Sequence, residues 1–245
     1  MLTETMIAKD LQKVYENDKE RILRFLDYKE SELRRQLKKG FSYKCAKCYD
    51  YKTQNADYKL ALCVYKKRSI MDVYMYIKET NEYVAVTAKA DRYNAACIVF
   101  TPHYIRRMGG GRIYGDRDME INKILTYFIL HFNSSICIYH NERNFVFATK
   151  GGISLAIHDE KRDLMLMKTF VSKEMLKNTQ IEAFDYVAAL IDRFDRFVED
   201  ETDRNGNTSY DILLELSKEM SKLNLEKVNE IYGKHFKTKR YEDKI

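Results

Sequence analysis

The segment Ile98-Val99-Phe100-Thr101-Pro102-His103-Tyr104-Ile105-Arg106-Arg107-Met108 brings an imidazole and two guanidinium groups within five positions of one another. Thr101 suits a helix N-cap, Pro102 the first helical position and Gly109 the residue just past the end. On such a two-turn helix His103, Arg106 and Arg107 are three and four residues apart and share a face, while Tyr104, Ile105 and Met108 take the other face and can pack inward. The natural guest of the basic face is an anion. Free backbone N–H groups at the helix start and the macrodipole both favour a phosphate, and the same dipole disfavours a protonated imidazole. A neutral His103 could take the proton of a ribose 2′-hydroxyl while Arg106 and Arg107 stabilise the charge that builds on phosphorus. That chemistry calls for no metal and no cofactor. The plainer alternative is an exposed basic helix face paired with carboxylates, which is what most such charge groupings are.

The surrounding elements follow from periodicity. Apolar residues Ile7, Leu11, Val14, Ile22, Leu26, Leu33 and Leu37 keep helical spacing among many charges, which predicts one long helix or two consecutive ones over residues 3–39, ending at Gly40. Residues 41–58 mix Lys, Tyr, Asp and Asn without a period and read as a connector. Runs rich in Val, Ile and Tyr at 59–66, 70–78, 82–89 and 94–100 predict strands in antiparallel meanders. Beyond a glycine-rich loop, Asp116 or Asp118 can start a helix whose stripe is Ile121, Ile124, Leu125, Phe128, Ile129 and Phe132. Further strands are expected at 135–140, 144–149, 153–158 and 163–170, with Gly151-Gly152 as a turn. Ser172 then reads as the cap of a helix carrying Phe184, Val187, Ala188, Ile191, Phe194 and Val198, and a last helix runs through Leu213, Leu216, Met220 and Val228. The expected class is α+β: a central mixed, largely antiparallel sheet with an N-terminal helical arm and C-terminal helices. Its parts would be an arm and connector at 1–58, an α+β core at 59–171 and a helical region at 172–245, packed as one unit.

A strand, then Thr-x-His-x-x-Arg-Arg on a short helix, then a longer helix and strands ending in Thr169-Phe170-Val171-Ser172, resembles the RelE-like and colicin-type ribonuclease toxin superfamily. The resemblance covers residues 97–176, under a third of the chain. It implies that a histidine and arginines on the first core helix, with a hydroxyl or basic residue near the last strands, serve the cut phosphate. His103, Arg106 or Arg107, and Thr169 match those places. Related patterns often carry a further arginine one turn later, where this chain has Gly110, so Arg112 would have to act from the loop. Lys150, beside the Gly151-Gly152 turn, is a further phosphate-binding candidate.

Composition narrows the partners. The 245 residues carry 43 Lys and Arg against 37 Asp and Glu, a net charge of +6 that permits RNA or another phosphate-bearing ligand without requiring it. No apolar run reaches the roughly 18 residues of a membrane span, and the acidic start lacks the charge of a secretory signal, so a cytoplasmic protein with no membrane partner is expected. The lone proline and six of the nine glycines fall between Pro102 and Gly152, marking the stretch where backbone geometry is most specialised. The loop from Gly109 to Arg117 lacks the lysine and hydroxyl of a nucleotide-binding P-loop. Cys45, Cys48, Cys63, Cys97 and Cys137 are odd in number and read as reduced thiols; a zinc ribbon would need a fourth ligand where Lys66 stands. Eleven of the nineteen tyrosines lie between Tyr43 and Tyr114, interleaved with Lys44, Lys47, Lys52 and Lys59, a pattern that suits strands and sheet core and also base stacking. The functional expectation is an RNA-binding protein with metal-independent ribonuclease chemistry. Its alternative is a non-catalytic protein-interaction or oligomerisation module on a ribonuclease-toxin-like core, with the terminal helices as the contact surface.

Overall fold

The computed structural model describes residues 6–39, 44–65, 69–79, 82–87, 97–109, 121–131, 136–140, 143–149 and 151–177, and in a following helical stretch 181, 184, 185, 187–189, 191 and 192. The arm is a single helix, α1 (Ala8–Lys39), whose apolar stripe buries Leu11, Tyr15, Ile22, Leu26 and Leu33. Strands β1 (Lys44–Lys52), β2 (Asp57–Tyr65), β3 (Ser69–Glu79), β4 (Glu82–Thr87) and β5 (Cys97–Phe100) follow as an antiparallel meander. Helices α2 (Pro102–Gly109) and α3 (Ile121–His131) come next, then β6 (Ile136–His140), β7 (Asn144–Thr149), β8 (Gly152–Asp159) and β9 (Leu164–Ser172). Helices and mixed sheet together make the chain an α+β protein. Among the described residues no helix is long and apolar enough to cross a membrane.

The segment read as a connector is corrected here, because residues 44–52 form β1. Sequence alternation fails there because the strand is covered on both sides. Cys45, Tyr49 and Tyr51 pack into the core beneath α1, while Cys48 and Asp50 reach Asn122 of α3 from the opposite face. With an element on each face, apolar and polar residues no longer need to alternate.

Two compact units divide the chain: Met1–Asn133 with Ala156–Phe170, and Ser134–Leu155 with Val171–Ile245. In the first, the strands lie in the order β1-β2-β3-β4-β5-β9-β8, with β9 parallel to β5. One face packs against α1 through Tyr58, Leu60, Leu62, Val64, Val73, Met75, Cys97, Leu164 and Leu166. Residues of opposite parity, such as Tyr74 and Phe100, meet Tyr104 of α2 and Phe128 of α3 on the other face. The arm is thus part of this unit and supplies one side of its core.

In the second unit, antiparallel β6 and β7 lie beside the start of β8, with an irregular register between Cys137 and Tyr139. Its core holds Val146, Ala148, Ile153, Leu176, Phe184, Val187 and Ile191, so the expected stripe at 184, 187 and 191 is buried as its spacing implies. The reading of Ser172 is corrected: it precedes a single 3-10 turn, Lys173–Met175, and not the helix that carries Phe184. Leu176 is extended at φ −68 and ψ 144, which stops that turn, and its side chain goes into the core. Phe194, Val198 and the helix expected over 213–228 lie outside the described residues.

Candidate functional site

Thr101 is the joint between sheet and helix. Its N–H donates to the Met167 carbonyl at 3.2 Å, extending the parallel pairing of β5 with β9 by one residue. Its hydroxyl lies 3.0 Å from the Met167 carbonyl and 3.1 Å from the Lys168 carbonyl, and accepts the Tyr104 N–H at 3.2 Å as an N-cap. Successive carbonyls of a regular strand point in opposite directions, so one hydroxyl within reach of both marks a local kink in β9. The kink changes which face the strand presents: Leu164 and Leu166 lie with the core of α1, whereas Phe170, of the same parity, meets Tyr104 beneath α2 at 6.2 Å between ring centroids.

Within α2 the two faces separate as the spacing implies. Tyr104, Ile105 and Met108 are 1%, 8% and 2% exposed, and Tyr104 is further held by the Phe100 ring at 5.3 Å. His103, Arg106 and Arg107 are all exposed. With the inner face packed by aromatic contacts and the start capped by Thr101, the imidazole and guanidinium groups share one outward surface on a short helix. The helix has no acidic residue in its first turn, and neither His103 nor Arg107 has an ion-pair partner among the described residues. A hollow beside α2 lies on its inner side, lined by Tyr74, Ile105, Met108, Ile124 and Phe128, and is wholly apolar. It is a gap in packing and offers nothing to a phosphate.

The start of α2 is a poorer backbone anion site than free N–H groups would make it. Pro102 has no N–H, the Tyr104 N–H is used by the Thr101 hydroxyl, and the Ile105 N–H by the Thr101 carbonyl at 3.1 Å. The cap and first turn leave only the His103 N–H at this end. An anion here must therefore be held mainly by side chains.

Of the remaining sequence-derived candidates, Thr169 is half-buried in β9, two residues beyond Met167 in the segment tied to Thr101. It alternates with Phe170, whose ring faces α2, so its side chain lies on the other side of the strand. His103, Arg106 and Arg107 thus share the exposed face of α2, while Thr169 stands on the side of β9 away from Phe170. Arg112 and Lys150 lie outside the described residues. Lys168 was missed by sequence reasoning: it is exposed, and its carbonyl accepts from the hydroxyl that caps α2. Its signal was a lone charge following the apolar run Leu164 to Met167, and only the parallel pairing of β5 with β9 puts its backbone carbonyl beside the helix start.

All five cysteines are reduced. Cys45 and Cys48 are three residues apart on β1, which sends their thiols to opposite faces of the sheet, so this pair cannot share a metal ion. Among the described residues no group of three or more His, Cys, Asp or Glu side chains converges as a metal site. No protein-family model, curated protein or solved structure matches this chain. Its functional reading therefore rests on its own residues.

Proposed function

We propose that the exposed face of α2 binds the phosphate backbone of RNA and cleaves it without a metal ion, with His103 as the proton-transfer group and Arg106 and Arg107 as phosphate contacts. The observation that supports this reading is the partition of α2: its inner residues are buried and its start is capped, and what remains outward is an imidazole with two guanidinium groups. In the proposed step the 2′ oxygen attacks the adjacent phosphorus while the His103 imidazole takes the 2′ proton. The bond from phosphorus to the 5′ oxygen breaks, and that oxygen leaves with a proton from water. The products are a 2′,3′-cyclic phosphate and a 5′-hydroxyl. Arg106 and Arg107 stabilise the additional negative charge of the five-coordinate phosphorus. Lys168, exposed and with its carbonyl at the capped helix start, is a candidate third cation for the same polymer.

The test is cleavage of a fluorescent single-stranded RNA in EDTA. His103→Ala should lower the rate by about 100-fold or more, the usual worth of a positioned acid-base group, while RNA affinity and melting temperature stay near wild type. Arg107→Ala should weaken affinity and rate together. Wild-type cleavage by His103→Ala, or cleavage that vanishes in EDTA, overturns the reading.

A further inference from the structure

A second charged surface, on the opposite face of the sheet from α2, is carried by α1. Positions 21, 24, 28, 31, 35 and 38 follow alternating steps of three and four, so they form one stripe along the helix. They are Arg21, Arg24, Tyr28, Ser31, Arg35 and Lys38, and every one is exposed. The stripe runs diametrically opposite the line of Tyr15, Ile22, Leu26 and Leu33 that holds α1 to the sheet, so it faces solvent along its whole length. At 1.5 Å per residue it is about 25 Å long. Tyr28 stands near its middle at 68% exposure, far more open than the other exposed large hydrophobic residues described, Ile7 at 40% and Leu23 at 37%.

Charge decides what this surface can meet. From Arg21 to Lys39 there are seven cations and three carboxylates, and no carboxylate falls on the stripe. Of the neighbouring acids, Glu32 is bound by Lys29 at 2.8 Å, and its carboxyl is held below the usual range by Lys29 first, with Lys47 and Arg35 adding to the effect. Glu20 reaches Arg24 at 3.1 Å, but both side chains are largely in water, where such a pair is weak. Asp27 flanks the stripe without entering it. Arg21, Arg35 and Lys38 have no ion-pair partner among the described residues. A second copy of this chain would lay arginine against arginine, so self-association through the stripe is disfavoured. A row of cations with one exposed aromatic ring among them, approached by the Lys29 ammonium at 5.1 Å from its centroid, matches a single-stranded nucleic acid: guanidinium and ammonium groups for successive phosphates, and a ring with a face left for an unpaired base.

We infer that the α1 stripe is a single-stranded RNA docking surface, distinct from the α2 face, in which Arg21, Arg24, Arg35 and Lys38 contact phosphates and Tyr28 stacks a base. The inference takes RNA as the polymer from the function proposed above, while the stripe itself owes nothing to α2. It gives the protein a means of holding a strand that does not depend on the groups that cut it.

The experiment is fluorescence anisotropy of the full chain with a labelled 12-nucleotide oligouridine across a salt series, with circular dichroism melts to confirm that each variant is folded. Removing three phosphate contacts in Arg21→Ala/Arg24→Ala/Arg35→Ala should reduce the slope of log K against log salt by about 2. Tyr28→Ala should weaken binding by about 5- to 150-fold, and Tyr28→Phe should restore it. Arg106→Ala/Arg107→Ala is measured alongside. Stripe variants that bind as wild type while the α2 variant loses affinity overturn the stripe and spare the α2 reading; the reverse supports the stripe and counts against α2. A wild-type chain that does not bind the oligouridine overturns both. Displacement of the RNA by polyglutamate at equal charge concentration, with Tyr28→Ala binding as wild type, points to an acidic protein partner and overturns the RNA assignment.

Discussion

Asp18 should prove to be the most sensitive polar residue of α1. It is 1% exposed in the middle of the helix, and its carboxylate accepts from the Tyr58 hydroxyl at 2.8 Å, the Thr53 hydroxyl at 2.7 Å and the Asn55 amide at 2.9 Å. These donors belong to the β1–β2 turn and the strand after it, so Asp18 ties α1 to that hairpin. Asp18→Ala removes all three acceptor contacts, but the consequences differ. Asn55 is exposed and can turn to water, and the Thr53 hydroxyl still has the Ala56 carbonyl at 3.1 Å. Tyr58, itself 1% exposed, is left with a buried donor and no acceptor among the described residues. Its phenol is held well above its ordinary pKa by burial first and by the Asp18 carboxylate next, so it cannot escape by ionising. A stranded buried donor costs about 1–3 kcal/mol and the lost bonds to a charged acceptor add to it, for a total of about 2–4 kcal/mol. At about 2–4 °C per kcal/mol for a chain of this size, the melting temperature should fall by about 5–15 °C. Tyr58→Phe removes the stranded donor, so the double variant should be less destabilised than the two single changes added together. Thermal melts of the four proteins of this cycle measure both quantities. A melting point for Asp18→Ala within 1 °C of wild type, or strictly additive changes, would show that Asp18 does not hold the Tyr58 hydroxyl.

Three other outcomes are expected. Thr101→Val should cost about 1–2 kcal/mol through loss of the cap, and should slow the proposed RNA cleavage because His103 is two residues on; Thr101→Ser should keep both properties, and wild-type behaviour of the valine variant would show that the joint with β9 does not position α2. Burial pushes the Cys48 thiol up to about 12 and the Cys97 thiol up to about 11, so at pH 8 iodoacetamide should label half-buried Cys45 and Cys137 first; peptide mapping that found Cys48 modified early would contradict its placement. Burial, followed by the charge of Glu32, likewise raises the Tyr49 hydroxyl to about 12. Since the ordinary values of these groups are 9.0 for the thiols and 10.0 for the phenol, the folded chain keeps protons that the unfolded chain releases in alkali. Stability should thus be full below pH 9 and decline as pH rises towards 12, read as a urea midpoint that falls between pH 9 and 10.5; a constant midpoint over that range would contradict it.

Much of the candidate site was legible because its information is local. A threonine and proline before the turn, a glycine after it, and residues sorted by three- and four-residue steps describe α2 within one short segment, and its buried Tyr104, Ile105 and Met108 match that pattern. Strands β2 to β9 were also visible, since β-branched and aromatic residues concentrate there. By contrast β1 was hidden, because Cys, Lys, Tyr and Asp along it serve two covered faces and show no alternation. Asp18 reads in sequence as one more solvated helix charge; a turn 35 to 40 residues away makes it a buried acceptor. The arginines of the α1 stripe were equally present in the sequence, but a stripe matters as a surface only once the opposite side is known to be packed.

The division follows the range of the forces. Caps, helix faces and strand propensities act between residues a few positions apart, so residue order alone was enough to specify α2, the alternation of elements and the direction in which His103, Arg106 and Arg107 point. Placing β9 beside β5 required contacts across 66 positions, from Thr101 to Met167, and these go with the kink that turns Phe170 under α2. No local preference encodes such a pairing: a strand's neighbours are chosen by the burial of whole faces, and that choice is made when α1 covers one side of the sheet and α2 with α3 the other.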